Sequence, residues 1–150
     1  MHRNTYLNAP SLLNATMEFR DWPDTFVAGV LSGTEGYLES SATGWLAGSN
    51  AARRALGMDP VVPPEESMLG GLVRFLATAN PDNFQPMNAN WGLVPSVPKK
   101  RGVKRKERRE QMYEIGLGKF RQWLGSWKDL VPQPDRSTVM AGLPGEQAGA

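Results

Sequence analysis

The sequence predicts an α/β chain built from two or three short strands and three helices. Three observations carry that expectation. Residues 26–31, Phe-Val-Ala-Gly-Val-Leu, form a short apolar run of the kind a fully buried strand shows. They lead into a turn punctuated by Gly33 and Gly36, and then into a small-residue helix over about 38–54. Further on, apolar residues recur at helical spacing over 68–79 and again over 113–127.

In chain order, residues 1–7 alternate loosely as a first strand, ended by Asn8-Ala-Pro10, and residues 16–20 are a second short candidate. Trp22-Pro-Asp24 reads as the turn into 26–31. Ser32-Gly-Thr-Glu35 then matches a capping box in which Glu35 reaches back to an orphan N–H; a ligand role for Glu35 stands beside that reading. In the helix, Ser40, Gly44, Ala47, Gly48, Ala51 and Ala55 share one face, while Leu38, Ala42, Trp45, Ala52 and Leu56 cover the other, so both sides look buried. Gly44 and Gly48 each cost about 1 kcal/mol relative to Ala, which tertiary packing must offset. Gly57 fits the stop. After the extended Val61-Val-Pro-Pro64, Pro63-Pro64-Glu-Glu-Ser67 opens a helix with apolar face Met68, Leu69, Leu72, Phe75, Leu76 and Ala79, and Asn80-Pro81 ends it. Residues 84–98 have no clear period and read as a packed loop rich in amide side chains. A last helix over about 104–127 carries the stripe Tyr113, Leu117, Phe120, Leu124, Trp127. Residues 131–150, with Pro132, Pro134, Pro144 and no apolar period, read as a disordered tail.

The glycine corner is the part with chemical promise. Glycines let the backbone bend sharply and admit a ligand where a Cβ would stand. The helix start behind them aims unpaired N–H groups and a positive dipole end at the turn. That suits a phosphate, or an aromatic ring system that becomes anionic on reduction. Corners of this kind also occur as plain structure.

Composition excludes several chemistries. With no cysteine, there are no disulfides, thiolate metal sites or cysteine nucleophiles, and a single histidine makes an all-protein zinc site a poor expectation. No apolar run approaches membrane-spanning length and no signal peptide precedes the first strand, so a cytoplasmic protein is expected. The formal net charge is only +2, yet ten of the seventeen Lys and Arg fall between Lys99 and Arg121, opposed there by Glu107, Glu110 and Glu114 alone. Such a run is either a solvated, self-repelling segment or a phosphate-binding tract. The favoured reading is RNA contact through Lys99, Lys100, Arg101, Lys104 and Arg105. No base-reading module is evident, so that contact would position the RNA and leave its sequence unread.

A set of motifs in one order then points to a family: Met1-His-Arg-Asn-Thr-Tyr-Leu-Asn-Ala-Pro10, Ala28-Gly29, Gly33-Thr-Glu-Gly-Tyr-Leu-Glu-Ser40, Gly44, Ala47-Gly48, Asn50-Ala-Ala-Arg53 and Asn83-Phe-Gln-Pro-Met-Asn-Ala-Asn-Trp-Gly-Leu93. Together they resemble the C-terminal part of the folate- and FAD-dependent tRNA (uracil-5-)-methyltransferases, over roughly residues 1–124. The corner alone is shared with the related carboxymethylaminomethyl-uridine tRNA enzymes. The resemblance implies a C-terminal fragment of a Rossmann-like FAD-binding fold, with residues 1–57 ending the flavin domain and 58–130 forming a helical and loop segment with the basic helix. The chain departs from the family in lacking the G-x-G-x-x-G turn and the cysteines, so Met1 reads as an internal methionine of a fragment or truncated product. Val30 stands where the family usually has Gln.

What the resemblance implies chemically is transfer of a one-carbon unit from methylenetetrahydrofolate to C5 of uridine 54 in the tRNA T-loop, with flavin reduced by NADPH or NADH. Gly29, Gly33, Thr34, Glu35, Gly36 and Tyr37 would face FAD. His2, Arg3, Asn4, Asn88 and Asn90 would line the folate side, and the missing N-terminal part would complete the site. No residue of this chain is expected to be catalytic, and the isolated chain is expected to hold FAD weakly and to be inactive. The alternatives are a piece of the related carboxymethylaminomethyl enzyme and a stand-alone basic RNA-binding module.

Overall fold

A computed structural model describes residues 5–98, 102 and 104–127. The described chain is helical: α1 (Ala9–Leu12), α2 (Tyr37–Ala55), α3 (Met68–Thr78) and α4 (Arg105–Trp127), with 3-10 turns at Gly29–Ser32 and Pro81–Asn83. The expected strands do not form as ladders among these residues. Only isolated bridges occur, Leu13 with Phe19 and Glu18 with Phe26 (both antiparallel), and Thr34 with Met87 (parallel). The backbone explains why 26–31 fails as a strand. Gly29 lies at φ +66°, and the chain from there coils into a 3-10 turn that leaves Val30 and Leu31 exposed. Met17 and Asp24, both at positive φ, bend the preceding segment in the same way.

The core gathers Leu13 and Met17 from the first loop, Leu46 and Ala47 from α2, and Leu72, Val73 and Leu76 from α3, with Phe84 behind them. In α2 the buried stripe is Thr43, Leu46, Ala47, Asn50 and Arg53, where the sequence pointed to two apolar faces. Leu38, Trp45 and Leu56 are exposed, and nothing lies within 4 Å of a Cβ built on Gly44 or Gly48. Polar side chains explain the shift. Asn50 is fully buried because its amide donates to the carbonyls of Thr16 (3.0 Å) and Val61 (2.9 Å), while its oxygen accepts from the Val61 N–H (2.8 Å). It stitches two loops to the helix.

Helix α3 starts at Met68, five residues after Pro63, because Ser67 caps it. Its hydroxyl accepts from the Gly70 N–H at 3.0 Å and donates to the Pro64 carbonyl at 2.7 Å. Helix α4 runs as expected, but its buried positions are Met112, Gly116 and Trp127, with Tyr113 exposed. Trp127 stacks on Trp45 of α2 (5.3 Å between centroids, 12°) and meets Trp123 edge-on. The tail at 131–150 lies outside the described residues. No helix among the described residues is long and apolar enough to cross a membrane, and no cluster of three or more His, Asp or Glu among them is placed for a metal.

The last turn of α2 is anchored by an ion pair. Arg54 donates to both carboxylate oxygens of Glu18, each at 3.1 Å, and the Asp24 N–H adds a third bond at 3.0 Å. Glu18 is only 4% exposed, and the Arg54 guanidinium holds its carboxyl below the usual carboxylate range despite burial. A depressed folded-state pKa stabilises above the unfolded pKa and is lost as pH falls through the folded value. Glu18→Gln is therefore expected to lower the melting temperature at neutral pH. The gap to the parent chain should close as melts are repeated below the ordinary carboxylate range.

Candidate functional site: a glycine corner at the start of α2

The corner is held by short backbone bonds on its inner side. The Gly33 N–H donates to the Val30 carbonyl (3.0 Å), the Glu35 N–H to Met87 (2.9 Å), and the Met87 N–H returns to Gly33 (2.9 Å). The Gly29 N–H donates to Thr43 Oγ1 (3.1 Å), and Ser32 Oγ donates to the Gly29 carbonyl (2.8 Å). Ser32 and Thr34 are wholly buried, their hydroxyls 3.0 Å apart. The capping box read from the sequence is not made: Ser32 is committed to Gly29, and Gly36, not Ser32, is the N-cap.

Gly33 is glycine for an internal reason. It lies at φ +81°, and a Cβ there would stand 2.6 Å from the Phe84 ring. Protein therefore occupies the side of the turn that the sequence reading left open to a ligand. The outer side is different. Gly36, at φ +100°, swings the chain into α2 so that Tyr37 and Leu38 emerge at 97% and 79% exposure. The amides of Tyr37 and Leu38, in the first turn of α2, have no acceptor among the described residues. Exposed Val30 and Leu31 stand in the turn just before them. The outer face thus combines free donors at a positive helix end, which suit the electron-rich edge of a flat ring, with exposed apolar side chains and with the Glu39 carboxylate, which fills the place a Cβ on Gly36 would take and opposes negative charge there.

Of the residues expected to face a flavin, Gly29, Gly33 and Thr34 build the corner from inside, Glu35 is exposed, and Gly36 and Tyr37 form its outer edge. The sequence reading missed Glu39. It sits three residues after the Gly36 cap, and Oε1 accepts from the Ala89 N–H at 3.2 Å, tying α2 to the 84–93 loop. Its position at N3 was the available signal. Asn90 is used within that loop, donating to the Asn88 carbonyl (3.1 Å) and accepting from the Gly92 N–H (2.9 Å). Asn88 is exposed. His2, Arg3, Asn4, Lys99, Lys100 and Arg101 lie outside the described residues. Lys104 and Arg105 are exposed at the start of α4. An apolar cavity of about 520 Å³ opens beside Leu38 and Glu39, walled by Leu72, Trp91, Met112 and Phe120.

The family described as glucose inhibited division protein A matches residues 1–59. The chain is 63% identical over 139 residues to a methylenetetrahydrofolate–tRNA-(uracil-5-)-methyltransferase TrmFO of Thermus thermophilus, an alignment covering 93% of this chain and 31% of that protein. It is 59% identical to the protein of the same name from Deinococcus radiodurans, covering 83% and 29%. Among solved structures, GidA of Aquifex aeolicus is 23% identical with a TM-score of 0.49, covering 88% of this chain and 20% of that one. The chain thus spans about a third of the length of the curated relatives it matches.

Proposed function

We propose that this chain, similar over most of its length to one segment of the proteins named TrmFO, is the part of a folate- and flavin-dependent tRNA (uracil-5-)-methyltransferase that closes the flavin site and meets the tRNA. The observation that carries the proposal is the 63% identity across 93% of the chain. The outer face of the corner supports it. In this reading residues 1–57 end a Rossmann-like FAD-binding domain, and 58–130 are a helical and loop segment carrying the basic helix.

When bound, a flavin reduced by NADPH or NADH supplies the electrons that turn a one-carbon unit from methylenetetrahydrofolate into a methyl group. The chain's own residues bind and orient. The amides of Tyr37 and Leu38, with the dipole of α2, hold negative charge at the ring edge, favouring the anionic reduced form by about 1 kcal/mol. Val30, Leu31 and Leu38 exclude water from that edge. Asn88, exposed on the adjoining loop, would offer its amide to the folate, a role the family resemblance extends to His2, Arg3 and Asn4. Lys99, Lys100, Arg101, Lys104 and Arg105 neutralise tRNA phosphates.

The test is a chimera in which this chain replaces the matching segment of the Thermus thermophilus relative. Incubated with methylenetetrahydrofolate labelled in its one-carbon unit, NADPH and undermodified tRNA, it is expected to place label at C5 of a uracil. A folded chimera that retains flavin yet transfers no label would overturn the proposal.

A further inference from the structure

A second cleft, of about 400 Å³, opens where the 91–96 segment meets the first turns of α4. Arg105, Arg108 and Arg109 line it together with Trp91 and Ser96, and among the described residues no carboxylate does. Three features mark it as more than a solvated charge cluster. The positive end of a 23-residue helix carries Arg105, Lys106, Arg108 and Arg109 against Glu107 as the only acid of its first turn. Cations at that end oppose the helix dipole and one another, so this placement works against the helix. Among the described residues, the Nε of Arg108 is buried without an acceptor and its guanidinium is paired with no carboxylate. Finally, the loop presenting Trp91 is fixed beforehand: the Asn90 side chain accepts from the Gly92 N–H and the Leu93 N–H donates to the Asn90 carbonyl at 3.1 Å.

We propose that this cleft is a nucleotide subsite for an RNA strand, with the phosphates on Arg105, Arg108 and Arg109 and one base stacked on Trp91. Guanidinium forks match phosphate oxygens in pairs, and an aromatic face takes any base, so the subsite holds the strand without reading its sequence. A strand is favoured over a small anion because exposed Lys104 extends the positive tract past the cleft, as does Lys106, whose Nζ lies 3.9 Å from the exposed Glu110 carboxylate. Asn90 is then a positioning residue for Trp91. The inference rests on the tRNA reading and adds residues to it.

The test is anisotropy of a labelled tRNA titrated with the full 150-residue chain at several salt concentrations. Arg108→Gln with Arg109→Gln is expected to weaken binding about tenfold and to lower the slope of log K against log salt by about two. Trp91→Leu should weaken it about tenfold with the slope unchanged, Trp91→Phe should restore most of it, and an abasic RNA should be insensitive to Trp91→Leu. Lys119→Gln with Arg121→Gln, near the far end of α4, serves as the charge control and should change little. If the parent chain binds tRNA in a salt-dependent way and the cleft variants match it, the subsite is wrong while the tRNA reading stands. If the parent chain shows no salt-dependent binding, both fall.

Discussion

Asn50→Ala is expected to destabilise the chain by about 3 kcal/mol or more, the largest loss from any single truncation in the core of α2. The side chain is fully buried and makes three hydrogen bonds, two to carbonyls and one from an N–H. Alanine leaves the Val61 N–H and the carbonyls of Thr16 and Val61, all partly buried, without this partner, and opens a void as well. Against a total stability of about 5–15 kcal/mol for a domain, that is a large share. Urea melts followed by circular dichroism measure it. Asn50→Asp sharpens the point, since it sets a carboxylate against the same two carbonyls, so its deficit should grow as pH rises. A loss under about 1 kcal/mol for Asn50→Ala would show that water replaces the amide, and that the loops do not depend on it.

The second large effect is expected at Gly116. A Cβ there would run into the Glu66 carbonyl oxygen and lie 3.2 Å from its carbon, and neither backbone atom can rotate away. Gly116→Ala should therefore push α4 off the 64–67 segment, at a cost of about 1–3 kcal/mol. Because Trp127 is buried against Trp45 and lies 5.9 Å from the Arg53 guanidinium, unseating α4 exposes indole to water. Red-shifted tryptophan emission and faster amide exchange across Arg105–Trp127 are the expected readouts, with exchange in Met68–Thr78 little changed. The same variant should weaken RNA binding, since the arginine cleft is framed partly by α4 and partly by the loop it leaves. Unchanged emission and exchange would mean that the contact yields by a small shift.

These two sites also show what the sequence made legible. The bounds of α2 and α4, the basic tract and the family resemblance followed from periodicity, charge and motif order. The face of α3 was only partly read: Leu72 and Leu76 are buried as expected, but with Gly70, Gly71, Val73 and Ala77 in place of Met68, Leu69, Phe75 and Ala79. The buried face of α2 did not follow, because Thr43, Asn50 and Arg53 hydrogen-bond to loops outside the helix, Thr43 to Gly29, Asn50 to Thr16 and Val61, and Arg53 to Asp59, and hydrophobic periodicity does not register such partners. The strand expected at 26–31 failed for a related reason: an apolar run is equally suited to a coiled segment when a left-handed glycine interrupts it. Gly33 drew attention as an opening for a ligand, whereas its missing Cβ makes room for Phe84, 51 residues away. The arginine cleft was half visible, since the charges were plain but the approach of Trp91 to them is tertiary.

The central claim is that the free amides at the start of α2 hold the flavin edge. Tyr37→Pro tests it most directly. Proline is well tolerated at the first helical position, Gly36 already has the extended ψ of 146° that a following proline requires, and the tyrosine side chain is exposed. The isolated chain should melt within about 0.5 kcal/mol of the parent. In the chimera with the Thermus thermophilus relative, flavin absorbance per folded protein should fall sharply for Tyr37→Pro and stay near the parent level for Tyr37→Ala, which keeps the amide. Equal flavin content in the two variants would contradict the account.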